Sequence, residues 1–277
     1  MKYQIVNDNG LYKLLNENND VIAIGRSIGI NNVNNLAFSD SFSAYNKTID
    51  DSDRIYLGNS LAEQRMISIG NIDEAYEMLN QTLKKNYDKT FIDACASILE
   101  TVNFYFGGFA CSSERLTYFP LEKDVSTGKV ARGKLSSIKK KNVALGEERA
   151  ILSQNLLQYL GYDSLIKFSF VNICGEEEKE IVHAYNLIQN DNKYYLFDAT
   201  YPTLTDGRMN PIIIELDKDT FDNLAYPLNN DKEILKTSVD VEHFDPLSVQ
   251  FIKIRYNSNI IDVKQKVKRW IWKIITK

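Results

Sequence analysis

The sequence predicts an α+β fold in which a helix packs on an antiparallel sheet. Three observations support this class. Short strand-like runs and polar turns fill the first 70 residues, helical spacing of apolar residues dominates from about 71 to 160, and further strand-like runs follow. Because strands and helices are segregated along the chain, an α+β arrangement is favoured. We expect a β-rich region at 1–70, an α+β domain at 71–260 and a separate helix at 261–277.

The composition is that of an ordinary globular protein. The chain has 277 residues, 44% hydrophobic and 25% charged, with a net charge of -4. This charge gives no general attraction to nucleic acid. The first residues lack the apolar core of a signal peptide, and no run of about 18 apolar residues is present. These features predict a cytoplasmic protein with no nucleic-acid partner.

The N-terminal region is predicted to open with short strands. Lys2–Val6 and Leu11–Leu15 are strand candidates, and the turn after them leads to Val21–Gly25 as the returning arm of a hairpin. The Asn-rich stretch Gly29–Asn35 is predicted to be a loop.

Two helices are predicted next, because apolar residues recur at helical spacing over Ile72–Tyr87 and Thr90–Tyr105. The second should end at the glycines at positions 107 and 108. The polar stretch 112–143, which ends in a basic run, is predicted to be a long surface connection with one strand near Lys129–Arg132.

A third helix is predicted over Glu147–Leu160, with one apolar face and with Gly161 as its left-handed end. Strands should follow, separated by polar turns such as that at 190–192. The predicted strands are Leu165–Ile173, Glu180–Ile188, Lys193–Ala199, Ile212–Leu216 and Val249–Tyr256.

The C-terminal segment has the pattern of a basic amphipathic helix. Apolar residues that include Trp270 share one face of a helical wheel, and lysines surround them, with Trp272 nearby. Such a helix either docks on its own domain with its lysines in water or contacts a membrane surface or a partner. Docking helices are the commoner class, so peripheral membrane contact is the second interpretation.

His183 and Asp198 stand at neighbouring ends of one predicted hairpin. The histidine opens the first strand and the aspartate closes the second, so the two side chains should meet. A carboxylate that orients a histidine supplies two members of a Cys-His-Asp nucleophilic site. A purely structural His–Asp hydrogen bond is the simpler alternative.

Further residues around this pair carry a resemblance. His183-Ala-Tyr-Asn186 resembles the His-Ala-Trp-Asn of the transglutaminase-like superfamily of papain-type folds, and Asp198-Ala-Thr-Tyr201 resembles its Asp-Pro-Thr-Trp. The fifteen-residue step between histidine and aspartate is the family's usual one. The helix that ends at Leu160-Gly161 resembles the family's nucleophile-bearing helix. The resemblance covers about 140–202 and implies that Tyr185, Asn186 and Thr200 lie around the site.

The resemblance places Gly146 where the family carries its nucleophilic cysteine. Glycine at a helix start keeps the backbone N–H donors but supplies no nucleophile. The three cysteines are widely separated and form no CxxC pair, so neither a zinc knuckle nor another metal site is expected. Cys111 is the candidate substitute nucleophile, whereas Cys95 lies on an apolar helix face and is interpreted as core.

Two classes of function follow. In the first, the chain is a transglutaminase-like protein without a nucleophile, and the former active-site cleft binds a peptide or protein partner, with Glu147 at its edge. In the second, the chain is an amide hydrolase or acyltransferase that uses Cys111, or water activated by His183, with Glu147 or Glu148 as an added carboxylate. The two glutamates are more simply explained as favourable charges at a helix N-terminus. No cofactor is expected.

Overall fold

The structure, a computed structural model, has helices packed on a mainly antiparallel sheet. It describes residues 4–8, 11–15, 18–19, 21–30, 36–45, 54–57, 65–68, 71–85, 90–118, 121–122, 130–174, 179–225, 237–245 and 248–258. Within these residues the fold is mixed α+β, as the sequence predicts.

Six strands occupy the described part of the first 70 residues. The first hairpin follows the prediction, although its returning arm is longer and takes in residues 29 and 30, which were predicted to be a loop. The last three strands were not predicted. The six strands are β1 Gln4–Asp8, β2 Leu11–Leu15, β3 Val21–Ile30, β4 Leu36–Tyr45, β5 Arg54–Leu57 and β6 Arg65–Ser68.

Helices α1 (Asp73–Lys85) and α2 (Phe91–Phe106) follow the predicted periodicity. Thr90 caps α2: its hydroxyl accepts from the backbone N–H of Asp93, and the Asp93 carboxylate accepts from the backbone N–H of Thr90. At the other end, Gly107 adopts a left-handed φ of 85° and donates to the carbonyl of Asn103.

The prediction for 112–143 is confirmed in part: described residues such as 113, 114, 117, 118 and 140–142 are exposed, and the strand predicted near Lys129–Arg132 is present, but the stretch also contains regular turns. It contains 3-10 turns at Ser113–Thr117 and Leu135–Ile138, and the short strands β7 (Leu121–Glu122) and β8 (Val130–Lys134). Arg115 and both ends of the second 3-10 turn are fully buried. The segment thus combines exposed polar residues with a few buried residues that anchor it in the protein.

Helix α3 (Gly146–Tyr159) is buried on almost every side. The prediction of a single core face was therefore too narrow, since polar residues such as Ser153 and Gln154 are buried as well. The helix packs on the sheet, and Asn186 ties it there by donating to the carbonyl of Ala150 at 3.1 Å and to the Gln154 side chain at 3.2 Å. Gly161 follows with a left-handed φ of 85°, as predicted.

A four-strand antiparallel meander carries the hairpin of interest. It consists of β9 Asp163–Cys174, β10 Lys179–Asn190, β11 Lys193–Thr205 and β12 Arg208–Leu216. The register pairs Asn186 with Phe197 and Asn190 with Lys193. Between Asp198 and Thr203 the pairing of β11 with β12 is interrupted by a register shift.

The remaining elements lie on the other side of the meander. They are α4 (Lys218–Ala225), β13 (Thr237–Asp245) and β14 (Gln250–Ser258), of which only the last was predicted. The first half of β9 pairs with β4 and its second half with β14, so one strand joins the N-terminal sheet, the meander and the last hairpin. The predicted helix at 261–277 lies outside the described residues. None of the helices in the described ranges has both the length and the apolarity needed to cross a bilayer.

Two apolar cores lie on opposite faces of the meander. The first contains the buried faces of α1, α2 and α3 together with Phe197 and Ala199. The second joins Leu196 and Tyr185 to Tyr256 of β14 and Phe221 of α4. Successive side chains of a strand point to opposite faces of the sheet, so each strand of the meander contributes to both cores. The two cores hold the ends of β10 and β11 in fixed positions beside the start of α3.

Candidate functional site

His183 and Asp198 lie next to each other, as the hairpin geometry predicts. His183 Nε2 lies 2.8 Å from Asp198 Oδ2, and both side chains are buried. Since a carboxylate only accepts, Nε2 carries the proton and donates it. Asp198 Oδ1 accepts from the backbone N–H of Thr200 at 2.7 Å, which fixes the carboxylate plane.

The other nitrogen of His183 faces the start of α3. A Cβ atom at position 146 would lie 2.8 Å from both Nδ1 and Cε1 of His183, so Gly146 is the helix residue directly opposite the imidazole. Leu145 precedes the helix in extended conformation and has no polar side chain to cap it. Its backbone N–H instead donates to the carboxylate of Glu148 at 2.9 Å. The positive end of α3 is therefore directed at His183.

Three further residues were expected around the site, and each makes different contacts. They are Thr200, Tyr185 and Asn186. Thr200 Oγ1 lies 3.4 Å from the Cβ position of Gly146, and this buried hydroxyl has no hydrogen-bond partner among the described residues. The Tyr185 ring is buried against Tyr256 with an edge-on contact of 5.8 Å between centroids. Asn186 bonds to α3, so in this structure its amide connects the strand to the helix.

Two glutamates at the start of α3 are paired with a buried arginine. Arg115 Nη1 donates to both carboxylate oxygens of Glu148 and, at 3.1 Å, to Glu147. Burial raises the pKa of Glu148, and the charge of Arg115 opposes that rise. Arg115 Nε and Nη2 are buried without a partner within the described part of the chain. The glutamates therefore neutralise a buried cation, and only Glu147 is partly exposed.

Cys111 lies near the site without contacting the histidine. Its thiol donates weakly to the carbonyl of Phe109 at 3.9 Å, and no hydrogen bond in the described ranges joins its sulfur to His183. Burial raises the pKa of Cys111 to about 11, although the neighbouring Arg149 guanidinium acts in the opposite direction. Tyr201 lies between the two groups: its ring stacks on His183 at 5.8 Å, and its hydroxyl interacts with Cys111. A protonated thiol in this position is a poor nucleophile.

Arg149 adds a second buried cation beside Cys111. Its Nη2 donates to the carbonyl of Gly108 at 2.7 Å and its Nε to that of Ala144 at 3.2 Å. Its Nη1 is buried and has no partner among the residues described. Burial lowers the pKa of Arg149, with Cys111 and Glu148 acting against that shift.

Two residues of the last hairpin complete the surroundings of Asp198, and sequence reasoning missed both as site residues. The Tyr256 hydroxyl lies 2.7 Å from Asp198 Oδ2 and 3.0 Å from His243 Nε2. His243 Nδ1 in turn donates to the backbone carbonyl of Tyr201. His243 carried one usable signal, because it is the second of only two histidines in the chain. Nothing in the sequence distinguishes Tyr256 from the other tyrosines.

These contacts hold Asp198 in its ionised form. Burial alone would raise the pKa of its carboxyl group, but His183, His243 and the Tyr256 hydroxyl outweigh burial and keep that pKa well below its ordinary range. The same burial, with the Asp198 charge, raises the pKa of the Tyr256 hydroxyl well above normal.

The arrangement combines an oriented histidine, an ionised carboxylate and the positive end of a helix. In the part of the chain that the structure describes, no three His, Cys, Asp or Glu side chains converge as a metal site. Cys111, Glu147 and Tyr201 are partly buried, whereas His183, Asp198 and Thr200 are buried. The unpartnered donors suit an acceptor oxygen, and the position facing Nδ1 carries no thiol or hydroxyl.

Comparison with protein-family models finds no match, and comparison with curated proteins finds no significant match either.

Proposed function

We propose that this chain is a transglutaminase-like protein without the family's nucleophile, and that its site binds an acyl or carboxylate group of a peptide or protein partner. One observation carries the proposal. The residue that faces His183 Nδ1 from the start of α3 is Gly146, and the imidazole lies where a side chain at that position would begin. A Cys-His-Asp mechanism needs a thiol at this point, and a glycine supplies none.

The unpartnered donors of the site support binding of an oxygen ligand. The buried Thr200 hydroxyl and Arg149 Nη1 have no partner among the described residues. A buried polar group without a hydrogen bond costs about 1–3 kcal/mol, so a bound carbonyl or carboxylate that accepts from them is favoured. The positive end of α3 acts in the same direction.

The alternative is catalysis with Cys111 as nucleophile. Its nearness to Tyr201 and Arg149 favours this alternative, whereas its raised pKa and the lack of a hydrogen bond to His183 disfavour it. Activation of water by His183 is a further route to hydrolysis. Both routes predict that an amide ligand is consumed rather than only bound.

A titration of the ¹⁵N-labelled full-length chain with N-acetyl-glutaminyl-glycine tests the proposal. This probe offers amide carbonyls and one terminal carboxylate. We expect saturable shifts of the backbone amide signals of Gly146 and Thr200, with the probe recovered intact. The isosteric Thr200→Val variant should bind about five- to tenfold more weakly, since it loses one hydrogen bond.

The matched control is Thr82→Val, which removes a hydroxyl from α1 that donates to the carbonyl of Met78. It should leave the affinity for the probe unchanged. If millimolar probe shifts no signal near α3, the binding claim is wrong. If free glycine, from cleavage of the peptide bond, or ammonia, from the side-chain amide, accumulates in a His183-dependent way, the chain is an enzyme.

A further inference from the structure

The two histidines of the chain belong to one buried network. From His183 the hydrogen bonds run to Asp198, from Asp198 to Tyr256, and from Tyr256 to His243. Each of these four residues is less than a tenth exposed. The bonds join the hairpin of β10 and β11 to the hairpin of β13 and β14. Since hydrogen bonds need one proton each, counting donors fixes where the protons lie.

The position of the first proton follows from the outer end of the network, at His243. The Tyr201 carbonyl can only accept, so His243 Nδ1 carries a proton. This carbonyl lies in the stretch of β11 where pairing with β12 is interrupted, which leaves it free for the imidazole. The charge of His243 then depends on whether its Nε2 also carries a proton.

The hydroxyl of Tyr256 has one hydrogen for two neighbours, Asp198 Oδ2 and His243 Nε2. If it donates to the ionised carboxylate, Nε2 must donate to the phenol oxygen, and His243 is an imidazolium. If it donates to Nε2, the proton between Tyr256 and Asp198 must come from a protonated Asp198. The two arrangements contain the same number of protons and differ in which residue holds the charge.

The surroundings of Asp198 decide between them. Its carboxylate accepts from the His183 ring, the Thr200 backbone and the Tyr256 hydroxyl, and such donors favour the ionised form. An isolated imidazole also binds a proton more tightly than an isolated carboxylate. The proton therefore lies on His243, and the ion pair of His243 and Asp198 is bridged by Tyr256.

His183, in contrast, is neutral. Its Nε2 donates to Asp198, and its Nδ1 faces the positive end of α3. A proton on Nδ1 would place a second cation against that helix end, in a buried site where Asp198 is already neutralised. His183 thus keeps a bare Nδ1 that can accept a hydrogen bond.

We propose that His243 is a permanent imidazolium which, through Tyr256, neutralises and orients Asp198, so that His183 is held neutral with Nδ1 unprotonated. Tyr256 and His243 are therefore positioning residues for the His183–Asp198 pair. This inference goes beyond the proposed binding function and holds whether or not the site binds a peptide. The titratable groups around this network are Tyr201, whose ring packs on His243, Tyr185, whose ring packs on Tyr256, and Asp245, whose charge acts on Tyr201.

Long-range ¹H–¹⁵N correlation spectra of the histidine rings test the proposal in the intact chain at pH about 8, above the ordinary pKa of histidine. We expect one ring with two protonated nitrogens and one ring with a single protonated nitrogen. His243→Gln should remove the first set of signals and His183→Gln the second. Two singly protonated rings in the wild type would overturn the proposal, and this reading needs no variant to fold.

Tyr256→Phe keeps the aromatic ring and removes only the bridging hydroxyl. We expect the doubly protonated signature of His243 to disappear in this variant at the same pH. Tyr105→Phe is the matched control, because its buried hydroxyl has no partner in the described part of the chain, and it should leave both rings unchanged. An unchanged His243 signature in Tyr256→Phe would contradict the role assigned to the bridge.

Discussion

At the scale of single residues, Gly146 decides what the site can do. The imidazole of His183 occupies the space that a Cβ atom would need, and hydrogen bonding to Asp198 prevents the ring from moving away freely. His183 packs directly on the helix backbone, and a side chain at position 146 would have to displace it.

This packing predicts the effect of Gly146→Ala. Helix propensity alone favours alanine by about 1 kcal/mol. The contact with His183 should reverse the sign and lower the free energy of unfolding by about 1–3 kcal/mol. Denaturant unfolding gives the value, and the ring signals of His183 should shift in the same variant.

Gly161→Asn is the control for this change. A Cβ atom there meets nothing within 4 Å, and asparagine tolerates the left-handed φ of 85°. Its cost should be smaller than that of Gly146→Ala. An alanine at position 146 that stabilises the protein would show that the imidazole does not occupy this space.

The lowered pKa of Asp198 predicts that the stability of the folded chain depends on pH. Because its pKa in the folded chain is depressed, its contribution to stability is complete above the ordinary carboxyl pKa and is lost as the pH falls through the folded value. Asp198→Asn should therefore destabilise the chain by about 3–5 kcal/mol near neutral pH. The gap between wild type and variant should be largest at pH about 5, where histidines of the unfolded chain are already protonated, and should shrink below about 4. Urea unfolding between pH about 5 and about 2 measures it, and a gap that widens as the pH falls over this range would contradict the assignment.

At the scale of elements, the start of α3 is held by the buried pair of Arg115 and Glu148. The arginine comes from a 3-10 turn some thirty residues earlier in the chain, and its partner is also bonded to the backbone of Leu145. The pair thus fixes the turn, the helix start and the loop between them in one arrangement.

Glu148→Gln should be more disruptive than removal of both charges. The single change leaves Arg115 buried with only the partly exposed Glu147 as its countercharge, at a cost of up to about 3–5 kcal/mol. The double variant Arg115→Met, Glu148→Leu should unfold at a higher denaturant concentration than Glu148→Gln alone. Lys218→Ala, which breaks an exposed pair with Asp222, is the control and should change the midpoint little. A double variant less stable than the single one would contradict this account.

Elements whose ends depend on residues close in the sequence were predicted well, and those that depend on distant residues or lack a regular apolar pattern were not. The ends of α2 and the end of α3 were predicted to within about a residue, because Thr90, Gly107 and Gly161 act through contacts a few residues away. Strands β4 and β13 were missed although each pairs with a strand next to it in the sequence, because charged and hydroxyl side chains interrupt their apolar pattern. The 3-10 turn at 113–117 was missed because the burial of Arg115 depends on Glu148, a partner 33 residues later in the chain.

At the scale of the whole molecule, the candidate site lies where three distant segments meet. The hairpin of β10 and β11 was predictable because His183 and Asp198 stand at adjoining ends of neighbouring strands. The contribution of the last hairpin was not predictable. Tyr256 reaches Asp198 across 58 residues of sequence, through the pairing of β14 with β9. Charge compensation by His243 follows from this packing and leaves no local sequence pattern.

The central claim is that this site holds an acyl group without forming a covalent bond to it. Incubation of the full-length chain with 4-nitrophenyl acetate, followed by peptide mapping in a mass spectrometer, tests it most directly. We expect the degree of acetylation at Cys111 to be low and the same in wild type and His183→Ala, because the thiol is protonated and does not bond to the imidazole. Rapid acetylation of Cys111 that is lost in His183→Ala would show an active cysteine–histidine pair and contradict the account.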